Sequence, residues 1–395
     1  MRTRTGPLVA AAAGALAVAA VIAGLWPASP AQPAAGPAGP ARATLWVTPS
    51  GGACRRTERS SARAHADACG TFEAAYRSAH PGDRIVIGGG TYPSQSVGVD
   101  QTKVRAHESV VFEPGPGQDV TVDGDLTVAA SHVIFRGHAR PYDFHVRNVI
   151  SQATPGPGTS SHVTFEQLDG AAFVIGPNDH ISILGGDWGP NTLTCGGAGQ
   201  YENKITPDDS IGPRVPTAIV LDGLRIHDQN SADLGCQHMG GLMVVAADGL
   251  TIRNSHWSQA AVYDIEVGDF THGRYGNPRN VLLEGNWFGA PVLQSGATND
   301  GQAEIQLAEP GRYEHWRVRD NAFTNGLALN FDGGAQLVDV DVTGNVGRRA
   351  DCEAAAGASW HDNEWVERPC GKDDRKIATL PYRSLAIGAE DYRRR

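Results

Sequence analysis

The segment LTIRNSHW, residues 250–257, decides the fold. Leu250 and Ile252 alternate with Thr251 and Arg253, the period of two that buries one face of a strand. Ser255 follows three positions after Ile252, and Trp257 five positions after. The same unit recurs as ISILGGDW (181–188), VLLEGNWF (281–288), WRVRDNAF (316–323) and VDVTGNVG (340–347). Anchored on Ile183, Ile252, Leu283, Val318 and Val342, the copies carry Gly186, Ser255, Asn286, Asn321 and Asn345 three positions on. Five positions on they carry Trp188, Trp257, Phe288, Phe323 and Gly347. LRIHDQNS (224–231) fits with Ile226 as anchor and Gln229 and Ser231 in the following places, and weaker copies sit at HVIFRG (132–137) and HVTFEQ (162–167).

From Ile183 the anchors lie 43, 26, 31, 35 and 24 residues apart. A recurring unit with uneven spacing is what a solenoid produces, because a turn can take an insertion without disturbing its neighbours. Stacked Asn side chains would form a ladder that satisfies the backbone groups of a tight bend. The aromatic residues would stack as the adjacent layer. These residues are therefore expected to be structural. Near the N-terminus, Phe72, Ala75, Tyr76 and Ala79 follow the i, i+3, i+4, i+7 pattern of one helix face, and Pro81-Gly82 ends it. That short helix is expected to cap the open end of the solenoid, whose strand edges would otherwise aggregate. The fold class expected is all-β: a right-handed parallel β-helix with a short N-terminal capping helix.

The chain has 395 residues, 49 of them Gly, and 41% hydrophobic content. Arg2 and Arg4 precede an apolar run from Leu8 to Trp26, with small residues after it, which reads as a signal peptide or anchor over 1–31. Pro, Ala and Gly dominate the stretch up to residue 43, so 32–43 reads as a linker. The β-helix domain is expected over 44–371 and a polar tail over 372–395. Without residues 1–43 the chain keeps 30 basic against 43 acidic residues, a net charge of −13. That balance argues against nucleic acid, which needs a basic stripe. No later stretch is long and apolar enough to span a membrane. The chain is expected to be secreted or anchored at its N-terminus, and monomeric. Six Cys, at 54, 69, 195, 236, 352 and 370, are an even set fitting disulfides in an exported protein. Fifteen pairings exist for six Cys. The expected ones are Cys54–Cys69, Cys352–Cys370 and Cys195–Cys236.

The opening W46-V-T-P-S-G51, the short helix, and A79-H-P-G-D-R-I-V-I-G-G-G-T-Y92 resemble secreted β-helix proteins of the pectate-lyase-like superfamily. C236-Q-H-M-G-G-L-M-V-V-A-A-D-G-L-T-I-R-N-S-H-W257 is similar to the coil signature of the same group. The resemblance covers roughly 46–347. It implies an extracellular polysaccharide as partner and an active site on the outer face of one parallel sheet. It specifies fold better than activity, since such folds host many chemistries.

The strands GLMVVAAD (241–248), VYDIEVGD (262–269), AEIQLAE (303–309) and LALNFDGG (327–334) lie between the ladder units. With Ile265, Val267, Ile305, Leu307, Leu329 and Phe331 inward, alternation turns Asp264, Glu266, Glu304, Gln306, Asn330 and Asp332 outward. Three readings of that column stand side by side. Two carboxylates could be the acid and base of a glycoside hydrolase. They could hold Ca²⁺ against a uronate carboxylate while Arg or Lys abstracts the neighbouring proton, as in polysaccharide lyases. Or they could be a solvated sheet face. A second candidate is the loop with His227, Asp228, Asp233, Cys236 and His238, since a His near an Asp can act as base or metal ligand. Related coils resemble His-x-(Asp/Glu)-x-(Leu/Ile)-Gln at His238; here Gly240 and Met243 replace the acid and the Gln. Neither the NTD, DD, GHG and RIK set of related hydrolases nor the lyase Arg-x-Pro-x-x-Arg is present. Lys204, in the insertion 189–216, is a further candidate base. The alternative to an enzyme is a non-catalytic surface β-helix that binds glycan or serves attachment.

Overall fold

The computed structural model describes residues 43–56, 67–139, 141–152, 160–194, 201–208, 210, 213–231, 240–261, 264–268, 273–289, 303–307, 311–331, 336–353, 355 and 357–381. Asp233, Cys236, His238, Cys195 and Asp332 lie outside them, as does the apolar run at the N-terminus. Among the described residues no helix is long and apolar enough to cross a membrane.

Among the described residues every strand pairing is parallel, and successive coils pair in sequence order. Twelve strands, from Thr44–Val47 to Ala358–His361, form sheet A. In a complete coil the chain bends from a sheet A strand into sheet B, as at His256–Ala260, and then sheet C, as at Ile265–Val267, before returning. In the early coils B and C are continuous, as in Phe144–Ser151 and Asp169–Ile175. The chain is thus a right-handed parallel β-helix. The apolar member of each alternating pair points into the coil. Ile183, Leu221, Ile252, Leu283, Val318 and Val342 are in register and buried.

The A–B turn is built the same way in coil after coil. One residue takes the left-handed conformation: Gly223, Asn254, Gly285, Asp320, Gly344 and Asp362, with φ between 53° and 73°. Gly, Asn and Asp tolerate that region best, which is why they fill the position. The next residue is the ladder residue. Asn321 accepts from the backbone N–H and the side-chain amide of Asn286, both at 2.9 Å. Its own amide donates to the Leu283 carbonyl and to Asn345 Oδ1, both at 3.0 Å. Asn345 repeats the arrangement toward Asn363. Asn363 then donates its backbone N–H and its amide to Asp374 Oδ1, each at 2.9 Å. Ser255 opens the row, accepting from Leu224 N–H at 3.1 Å.

Beside the ladder runs the aromatic layer, with Trp257 on Phe288 at 6.0 Å and Phe288 on Phe323 at 5.1 Å. Gly347 is the exception that keeps the layer packed: a Cβ there would meet the Trp365 ring at 2.6 Å. The coil at 217–231 is framed differently from the sequence expectation. Its anchor is Leu221 and its ladder position Leu224, whereas Ile226 joins the aromatic layer opposite Trp257. Two alternating strands follow each other there across Gly223, so the pattern matches in two frames. Gln229 is buried in sheet B and donates to the Trp188 carbonyl at 3.0 Å.

The helix Phe72–Ser78 covers the N-terminal end. Thr71 caps it by accepting from Ala74 N–H. Phe72 packs on Phe112 and Phe135, and Tyr76 Oη donates to the Ser131 carbonyl at 2.6 Å. Cys54–Cys69 and Cys352–Cys370 are disulfide-bonded, and they staple the two ends of the described solenoid. Strand Arg375–Lys376 still pairs with Glu364–Trp365, so the coil stack runs through Lys376.

Candidate functional site

The outward positions of sheet C form one continuous row. Ser96, Thr127, Ile150, Val174, Lys204, Met243 and Glu266 are consecutive register partners. Val267 pairs with Leu307 and Gln306 with Asn330, so the backbones of Gln306 and Asn330 continue the row beyond Glu266. Neighbouring members are separated by one strand spacing of about 4.8 Å. Glu304 pairs with Ala328 in the flanking row.

Alternation places Glu266 on this face, yet only 8% of it is exposed. Asp264 departs further from expectation. It precedes the strand Ile265–Val267 and is fully buried, at 0% exposure. Gly241 of the preceding coil packs directly on it: Leu242 N–H donates to the Asp264 carbonyl at 3.1 Å, and a Cβ at Gly241 would sit 2.6 Å from that oxygen. A period of two says which side a residue faces, not what covers that side.

Lys204 stands at the middle of the row. The strand that carries it is pinned by buried Asn203, which accepts from Phe173 N–H at 3.0 Å and donates to the Gly241 carbonyl at 2.9 Å. Lys204 Nζ lies 3.6 Å from Glu202, two residues back and on the same face. Burial pushes the Glu202 carboxyl above its ordinary range, with Lys204 pulling against that shift. A cavity of about 440 Å³ opens beside this row. Ile150 and Val174 line it, with Tyr201, Thr206, Asp208 and Tyr275. A second cavity, of about 350 Å³, follows along the axis and includes Tyr275, Asp248, Arg279, Asn277, Arg312 and Glu314.

His227 and Asp228 are brought together, but on sheet B. His227 Nδ1 is 2.6 Å from Asp228 and its Nε2 is 2.9 Å from Asp187. Burial opposes charge on this ring, and the two carboxylates overcome it, so the His227 pKa is raised. Both nitrogens are committed to carboxylates, which removes His227 as a free base. Asp187 also takes Arg225 at 2.8 Å; despite its burial these partners hold its pKa low. On the next strand His256 stacks on Trp287 at 4.0 Å. Burial, then the charges of Arg225 and His227, push its pKa down to about 4.

Ca²⁺ would need several oxygen donors converging on one point. Among the described residues no group of three or more His, Cys, Asp or Glu is so arranged.

Alternation alone put Glu266, Gln306 and Asn330 in one row. It did not reveal Met243 as their neighbour, or the partnership of Glu202 with Lys204, although their i, i+2 spacing marks a shared face. Tyr275 was not singled out; an aromatic between Gly273 and Gly276 in a loop is the only sequence trace it leaves.

No family model and no curated protein matches the chain. Among solved structures it is similar to a pectate lyase, at 12% identity and a TM-score of 0.39, over 85% of this chain and 79% of that one. It is also similar to an alginate lyase of polysaccharide lyase family 6, at 12% identity and a TM-score of 0.36, over 85% and 53%. A mannuronic-acid-specific family 6 lyase from human gut microbiota follows at 14% identity and a TM-score of 0.23, over 80% and 88%.

Proposed function

We propose that this protein is exported and engages an extracellular polysaccharide along the outer face of sheet C, centred on Lys204 and Glu266. The observation that carries this reading is the cavity beside the Ile150–Val174–Lys204 row, with an apolar floor and Tyr201 and Tyr275 as walls. Sugar rings present an apolar C–H face and a polar rim, and tyrosines beside aliphatic side chains offer the same two characters. A row that repeats every coil also suits a ligand that is itself a repeating chain. Two disulfides fit an oxidising compartment.

The chemistry available at the row is limited. Glu202 holds its proton more tightly than an ordinary carboxyl, as a general acid must. Lys204 supplies the cation beside it. The test is a panel of neutral and uronate polysaccharides measured for binding and turnover. New reducing ends without unsaturated uronate would mean hydrolysis, and unsaturated products would mean elimination. Binding weakened at least tenfold by Lys204→Ala, with the melting temperature unchanged, supports the face. If no glycan binds the folded protein, the reading fails. Binding without turnover selects the non-catalytic role, which the burial of Asp264 and the double clasp on His227 favour.

A further inference from the structure

Tyr275 belongs to both cavities. The first spans the coils of residues 150–152, 174–176 and 206–208. The second spans those of Val215, Ala247–Asp248, Gly273–Arg279 and Gly311–Glu314. Along the axis the two follow one another over five coil intervals, or about 24 Å at one strand spacing each. Tyr275 stands where they meet, on a loop separate from the sheet C strands.

The charges along this track are matched within the protein. Arg279 binds Asp248 at 2.7 Å, Arg312 binds Glu314 at 2.6 Å, and Lys204 lies 3.6 Å from Glu202. Arg274, at the rim, lies over the Tyr275 ring at 5.5 Å. Asp208 binds Ser210 in its own turn, and Glu266 adds a further carboxylate to the row. Of the charged residues that line the two cavities, two cations, Arg279 and Arg312, face three carboxylates, Asp208, Asp248 and Glu314. A polyuronate brings one negative charge per sugar and would need a cation or metal ion for each one it buried. Among the described lining residues there is no such surplus, whereas the floor of Ile150 and Val174 and the aromatic wall suit uncharged rings.

We infer that the two cavities are one continuous track for an uncharged, extended glycan of several sugar units, with Tyr275 as the shared wall that couples its halves. This rests on the reading of the sheet C face as a polysaccharide site, and it names the chemical class of the polymer.

The experiment is calorimetric titration of the full chain with two size series, neutral cello-, xylo- and manno-oligosaccharides and oligogalacturonates, each at low and high salt. The expected result is affinity for a neutral series that rises with length and barely changes with salt. In Tyr275→Ala the longest oligomer should lose at least tenfold and the shortest less than twofold. Tyr275→Phe should restore most of that gain, and the melting temperature of both variants shows whether they fold. Preferential, salt-sensitive binding of oligogalacturonates overturns the uncharged ligand while leaving the sheet C site standing. Equal losses at every length, or none, overturn the shared track. Binding of neither series by folded protein removes the sheet C reading as well.

Discussion

Each coil of this protein bends in two contrasting ways. The A–B turn is two residues long and nearly identical from Gly223 to Asp362: a left-handed residue, then a ladder residue. The side that runs through sheet C back to sheet A shares no such rule. Its connections differ in every coil, and Lys204, Met243 and Glu266 occupy equivalent positions with unrelated chemistry. One side repeats because each coil must satisfy the same backbone groups. The other varies because its outward side chains, such as Lys204 and Met243, are not drawn into one bond repeated from coil to coil. Stability is concentrated on the first side, and the candidate function on the second.

The largest effect expected from breaking this division is at the ladder. Asn321→Leu removes both side-chain donors and the acceptor of a fully buried amide, and leaves the N–H of Asn286 and the Leu283 carbonyl unpaired. Each orphaned group costs about 1–3 kcal/mol, so a loss of roughly 3–5 kcal/mol is expected in denaturant unfolding. A loss below about 1 kcal/mol would show that the ladder is ornamental. At Asp374 the effect is smaller. Asp374→Ala removes the acceptor of Asn363 and of the Cys370 and Gly371 N–H groups, for roughly 2 kcal/mol. Although burial opposes it, these donors hold the Asp374 pKa below its ordinary value. Its contribution is therefore complete above the unfolded carboxylate pKa and lost as pH falls through the lowered folded one.

Two histidines on sheet B sharpen the comparison through pH. His256, at about 4 when folded against 6.5 when free, takes a proton in the unfolded chain first. Stability from this site should decline as pH drops between those values, and His256→Gln should flatten that limb of the melting-temperature profile. His227 works with the opposite sign. Its raised pKa contributes stability that is full below the unfolded value and fades as pH rises through the folded one. Carboxylate-free variants Asp187→Asn and Asp228→Asn should remove that fade. The smallest stability effect is expected at Lys204→Ala, within about 0.5 kcal/mol of wild type, although it is the change expected to weaken glycan binding. A large destabilisation there would place Lys204 with the structural side instead.

The repeating side was legible in the sequence to the extent that it repeats. Ile252, Asn286 and Phe288 carry the pattern openly, and their copies confirmed its frame. At Leu221–Leu224 the two consecutive alternating strands offered a second frame that the chain does not use. Asn363 and Asp374 were not read as ladder members because the coils shorten there: Asn363 follows Asn345 by 18 residues, and Asp374 follows by 11. On the variable side, alternation gives the face that a residue takes but not what covers it, so it does not foresee that Glu266 is only 8% exposed and Asp264 fully buried. Tyr275 reaches its position through loop geometry, which leaves no period to detect.

Asp374 also has a consequence for how far the amide relay can run. An asparagine amide is a relay that both receives and passes on, so a row of them has a direction and could continue indefinitely. A carboxylate only receives. Once Asp374 has taken the donors of Asn363, Cys370, Gly371 and Trp365, it has none of its own to offer a further coil. The amide relay therefore ends in this one side chain. Leu224, which has no side-chain donor, shows that coils can stack without the relay, so grafting coils that continue it, rather than merely stack, would require Asp to Asn at this position.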